Sequence, residues 1–99
     1  MTFKQVLDKA KENNITAWRL MVGVEVDSYL DGRDLAVDEK TFETICEFVY
    51  DWCTNTDATP YEVISNLVMT IEDHDQFEFT SENISNNWQE LTEVINRMF

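Results

Sequence analysis

Glycine and proline are almost missing from this chain: Gly23, Gly32 and Pro60 are the only ones in 99 residues. A many-stranded sheet needs frequent tight turns, and tight turns draw on those residues, so their scarcity favours long helices with short connections. It also removes any glycine-rich phosphate loop. His74 is the single histidine and no suitably spaced cysteine accompanies it, so there is no zinc set. No G-x-S-x-G is present, and neither cysteine has the setting of a nucleophile. The chain therefore reads as a non-enzymatic protein with no catalytic residues, metal ligands or cofactor. No apolar run reaches the roughly 18 residues that a membrane span needs, and Lys4, Asp8, Lys9, Lys11 and Glu12 interrupt any leader-like start.

Positive charge is the other scarcity. Seven lysines and arginines face 20 aspartates and glutamates, a net charge of −13. The imbalance is uneven. Residues 1–20 carry Lys4, Lys9, Lys11 and Arg19 against Asp8 and Glu12, whereas residues 21–99 carry 18 acids against Arg33, Lys40 and Arg97. Such a field repels nucleic acid and anionic membrane and attracts basic protein surfaces.

Apolar residues are plentiful, at 43%, with 12% aromatic, enough for one folded domain over residues 1–99. The clearest segment is Asp38 to Thr54. Phe42, Ile45, Cys46, Val49, Trp52 and Cys53 make one helical stripe, with Asp38 as N-cap and Val37 as a hydrophobic staple. Cys46 and Cys53 lie two turns apart, roughly 10 Å, beyond the reach of a disulfide. The expectation is two buried thiols in a reducing cytoplasm.

Other helices follow the same logic. Thr2 caps a helix over 2–13 with Gln5 as its capping-box partner and Phe3, Val6, Leu7 and Ala10 on its apolar face. Residues 15–31 are read as a helix with Thr16 as cap, Gly32 as C′ residue, and Trp18, Met21, Val22, Val26 and Tyr29 on one broad face. The alternation of Val22, Val24 and Val26 leaves a short strand pair around 20–27 as the alternative. Thr59-Pro60-Tyr61-Glu62 is a capping box with proline at N1. It starts a helix to about Asp73 that buries Tyr61, Ile64, Leu67, Val68 and Ile71. After a loop with Phe77 and Phe79, Thr80 or Ser81 caps a last helix running to the C-terminus, with Ile84, Trp88, Leu91, Val94, Ile95 and Met98 as its stripe and Arg97 near its end. The predicted fold class is all-α, a compact bundle of four to five helices.

The segment Asp27 to Asp38 imitates a calcium loop, with Asp27, Asp31 and Gly32 at positions 1, 5 and 6. Tyr29, Asp34 and Asp38 break the pattern at positions 3, 8 and 12. A helix end and a turn explain the same residues. His74 between Asp73 and Asp75 reads as a solvated loop histidine.

The least ordinary feature is an acidic stripe. Glu39, Glu43, Glu47 and Asp51 follow one another at steps of four, with Asp27, Asp31 and Asp34 leading into them. Like charges one turn apart cost a few tenths of a kcal/mol each, about 1 kcal/mol for the three contacts. Adjacent carboxylates are spaced much like phosphates along a strand. The candidate partner-binding residues are Asp31, Asp34, Glu39, Glu43, Glu47 and Asp51. In size, charge and this stripe the chain resembles the small acidic inhibitors of phages and mobile elements, the anti-CRISPR and DNA-mimic anti-restriction proteins. The resemblance implies an inhibitor that docks its acidic face on the basic nucleic-acid-binding surface of a CRISPR or restriction nuclease, binding neither nucleic acid nor membrane itself.

Phe48 and Tyr50 lie off the main stripe of the central helix, which is therefore apolar on more than one side. Burial among several neighbours is the favoured explanation. The alternative function is a homodimeric interaction module with Phe48, Tyr50 and Trp52 at its seam, the acids serving solubility.

Overall fold

The computed structural model describes residues 15–99. They form helices α1 (Ile15–Gly32), α2 (Glu39–Asn55), α3 (Pro60–Asp73), α4 (Ser81–Asn86) and α5 (Trp88–Asn96), with no strand among the described residues. The fold is an all-α bundle. The helix expected over 2–13, with its Thr2 cap, lies outside the described residues.

Helix α2 is the centre, packing on α1, α3 and α4; α3 also meets α1 and α5. Asp38 is its N-cap and accepts a hydrogen bond from the Thr41 backbone N–H. Val37 and Phe42, the N′ and N4 positions of a staple, both line one depression at the entry to the helix and pack against the core. The core stripe is Ile45, Phe48, Val49, Trp52 and Cys53. Phe42 and Cys46 sit at its margin and are half-buried, which corrects the expectation of full burial for Cys46. Phe48 is 1% exposed and Trp52 is 9% exposed, while Tyr50 is half-buried against the same core. Phe48 and Trp52 thus belong to the interior of the chain, and Tyr50 lies at its margin.

Residues 20–27 are helical throughout, so the strand alternative fails. Val22 and Val26, four apart, are both buried, whereas Val24 between them is exposed. A strand would have put all three on one face; a helix turns about 100° per residue and separates Val24 from its neighbours. The buried stripe of α1 is Trp18, Val22, Val26 and Leu30, with Met21 and Tyr29 on its flanks. Thr16 lies within the helix and is not its N-cap.

The end of α1 differs from the expectation as well. Gly32 is the last helical residue and has negative φ; the left-handed position is Asp34, at φ 55°. The Asp34 N–H donates to the Asp31 carbonyl and the Leu35 N–H to the Leu30 carbonyl. That pair of bonds is a Schellman stop. Leu35 packs on the core there, so its burial sets the turn and whichever residue precedes it must adopt positive φ. An aspartate pays a steric penalty in that conformation, and its charge opposes the helix dipole. Asp34→Gly is expected to raise stability by about 0.5–1 kcal/mol, read as a higher urea midpoint with unchanged slope.

Helix α3 has the expected capping box. The Thr59 hydroxyl accepts from the Glu62 N–H and the Glu62 carboxylate accepts from the Thr59 N–H. Val63, Ile64, Leu67, Val68 and Ile71 are buried, but Tyr61 is 58% exposed, its ring edge-on to Tyr29. Phe77 tucks into the core from the following loop. Thr80 caps the next segment by accepting from the Asn83 N–H. The expected last helix is broken at Asn87 (φ −112°, ψ 18°) into α4 and α5. The Asn87 side chain donates to the Asn83 carbonyl, a local bond that competes with regular helix. Ile84, Leu91 and Ile95 keep their core positions on both sides of the break; Met98 is largely exposed.

Candidate functional site

Helix α1 carries a second stripe, on a different side from its core stripe. Leu20, Val24, Asp27 and Asp31 follow at steps of four, three and four, which keeps them on one face. Helix α2 lies alongside. Between them runs a groove of about 520 Å³, lined by Leu20, Val22, Val24, Phe42, Cys46 and Tyr50 and rimmed by Asp27, Glu43 and Glu47. A second depression of about 330 Å³ continues it past Leu30 and Leu35, with Asp27, Asp31 and Glu39 on its walls. Asp27 and Phe42 line both. The carboxylates of two helices thus converge on one furrow.

Of the six residues singled out from the sequence, Asp31, Glu39, Glu43 and Glu47 are brought together here, all exposed. Asp51 is not among them. It borders a depression on another side, with Phe48, Trp52 and Trp88. Four residues turn about 400°, so the stripe fans by about 40° per step and Asp51 ends roughly 120° from Glu39. Asp34 is exposed in the turn after α1 and lines neither part of the furrow. Asp27, which is not among those six, lines both depressions. The four-three-four spacing of Leu20, Val24, Asp27 and Asp31 was the signal for it.

Glu47 differs from the other acids. The Arg19 Nη1 donates to its Oε1 at 2.7 Å. The guanidinium also lies over the Tyr50 ring, 4.2 Å from its centroid. The Glu47 hydrogen bond, reinforced by its charge, holds the Arg19 pKa above the ordinary value. In the sequence Arg19 stands out only as part of a basic N-terminal region; in the structure it is a cation lining the groove. Among the described residues a second ion pair joins Arg33 to Glu72 at 2.6 Å. Asp27, Asp31, Glu39 and Glu43 have no cationic partner among those residues.

Cys46 lies in the groove wall. Burial, then the charges of Glu47, Asp27 and Glu43, push its pKa up to about 11. The thiol is therefore protonated and unreactive at neutral pH. Stability linked to it is present below its ordinary pKa and is lost as pH rises through about 11. Iodoacetamide should label Cys46 about 100-fold more slowly at pH 7.5 than an ordinary thiol, from a shift of about two pKa units. The double variant Glu43→Gln with Glu47→Gln should label faster; a rate equal to that of a model thiol would disprove the shift.

Asp27 and Asp31 both lie within helix α1, so the calcium-loop geometry does not form. No group of three histidine, cysteine or acidic side chains is placed to hold a metal among the described residues. His74 caps the end of α3, its Nδ1 2.8 Å from the Thr70 carbonyl oxygen and its ring 5.8 Å from that of Phe77. No helix among the described residues is long and apolar enough to cross a membrane. No protein-family model, curated protein or solved structure matches this chain.

Proposed function

We propose that this is a binding protein, not an enzyme, that docks its α1–α2 acidic face on the basic nucleic-acid-binding surface of a protein partner such as a nuclease. Occupying that surface would exclude the partner's substrate, in the manner of the anti-CRISPR and DNA-mimic anti-restriction inhibitors of phages and mobile elements. The observation that carries the reading is the convergence of Asp27, Asp31, Glu39, Glu43 and Glu47, from two helices, along one exposed furrow. A channel that attracts phosphates attracts fixed carboxylates, and the encounter is fast and screened by salt. Two thiols suit a reducing cytoplasm, the compartment in which the proposal sets the protein.

The test is capture from a cell lysate on the immobilised full chain at low salt, eluted with a salt gradient. The expected eluate is a basic nucleic-acid-binding protein, released between about 0.1 and 0.5 M salt and displaced by duplex DNA. Retention at about 1 M salt, or indifference to DNA, would overturn the proposal.

A further inference from the structure

The floor of the furrow holds something that charge mimicry does not require. Leu20 and Val24 are 69% and 59% exposed, one turn apart, in the same groove as Phe42 and the half-buried Cys46. Apolar surface rimmed by charge marks an interface. Three occupants have to be weighed. A small molecule would leave much of its own surface in water, because Leu20 and Val24 are open to solvent, whereas ligand sites bury most of their ligand. A second copy would bring two chains of charge −13 together. Across a two-fold interface the same Asp27 and Glu43 carboxylates would approach one another. Arg19, the cation of the groove, is already engaged by Glu47. A cationic partner meets none of these obstacles.

The shape narrows the partner further. The stripe from Leu20 to Asp31 spans about 16 Å along α1, and Glu39 to Glu47 about 12 Å along α2. Two helices with an apolar furrow between them suit a third helix. We infer that the α1–α2 groove takes a basic amphipathic helix of the partner, its apolar stripe on Leu20, Val24 and Phe42 and its lysines or arginines against Asp27, Glu43 and Asp31. This is helix-in-groove recognition with charged flanks. It rests on the acidic-face docking proposed above and adds the apolar anchor and the helical form.

The probes are two synthetic peptides of identical leucine and lysine composition, one with its leucines on a single helical face and one with them dispersed. Both are titrated into the full chain by calorimetry, with the Leu20 and Val24 methyl signals followed by NMR. The amphipathic peptide is expected to bind at least tenfold more tightly and to shift both methyls. Leu20→Ser with Val24→Ser should erase that preference while leaving salt-dependent binding of both peptides. Equal affinity of the two peptides for the unsubstituted chain would overturn the helix inference and leave acidic-face docking standing. Absence of binding by either at low salt would overturn both. Two results in the free protein would give the groove another occupant and overturn the inference: methyl shifts that depend on protein concentration, indicating a second copy, or NOEs from Leu20 and Val24 to residues 1–14.

Discussion

Asp27→Lys with Glu43→Lys is expected to weaken binding to a basic partner by roughly 100-fold at low ionic strength. The two carboxylates border the same groove from opposite helices, and both are exposed. Each reversal changes the charge by two, taking the chain from −13 to −9. Neither residue has a cationic partner among the described residues, so their replacement breaks no pair there. Surface substitutions of this kind change stability by about 0.5 kcal/mol or less, and relief of self-repulsion favours the variant. The fold should survive and the salt dependence of binding should become shallower. Asp51→Lys is the control for the single variant Glu43→Lys: both carboxylates are on α2 and each reversal changes the charge by two, but Asp51 borders another side and its replacement should leave affinity unchanged. Glu47→Lys is a poor substitute, because it would set a cation against Arg19 and disturb the stack on Tyr50. Equal affinity of the Asp27/Glu43 double variant and the unsubstituted chain would show that the furrow is not the docking face. A loss in Asp51→Lys equal to that in Glu43→Lys alone would show a response to net charge and not to position.

The largest effect on stability is expected at Phe48. Its ring meets Trp88 edge-on at 4.9 Å and Trp52 at 5.9 Å, and Trp52 in turn stacks on Phe99 at 5.7 Å. It joins α2 to α5 through the aromatic layer. Phe48→Ala removes a fully buried ring between large neighbours that cannot collapse into the space. The cost is about 3–5 kcal/mol, against a total of about 5–15 kcal/mol for a domain of this size. In thermal unfolding this should lower Tm by roughly 15–30 °C. Phe48→Leu, which keeps most of the volume, should recover more than half of the loss. A melting point within about 5 °C of the unsubstituted chain would contradict the burial. A dimer seam at Phe48 would instead make the cost depend on protein concentration.

Helical periodicity and capping chemistry were legible because they depend on residues three or four apart. The staple at Val37, the cap at Asp38, the capping box at Thr59 and Glu62, and the stripe of α2 all follow from local spacing. Two exceptions in the fold were non-local and one was local. Tyr61 fits the apolar pattern of α3 but turns outward to meet Tyr29 of α1. The break at Asn87 is the local one, accompanied by a side-chain bond to Asn83 that no hydrophobic pattern encodes. The chain reverses at Asp34 instead of Gly32 because Leu35 packs on the core, outweighing the preference of glycine for that turn.

The candidate site divides along the same line. The sequence alone determined a largely helical chain, a large negative charge, and carboxylates at steps of four along α2. Those are properties of single helices. Only the tertiary structure decided which carboxylates share a face, because that depends on how α1 lies against α2. The packing of α1 brought Asp27 and Asp31 to Glu39 and Glu43, left Asp51 on another side, and set Arg19 on Glu47 across 28 positions of sequence. It also put Leu20 and Val24 in an open furrow while burying Val22 and Val26 beside them. A helix's own periodicity says which residues share a side; only its neighbours decide which side meets water.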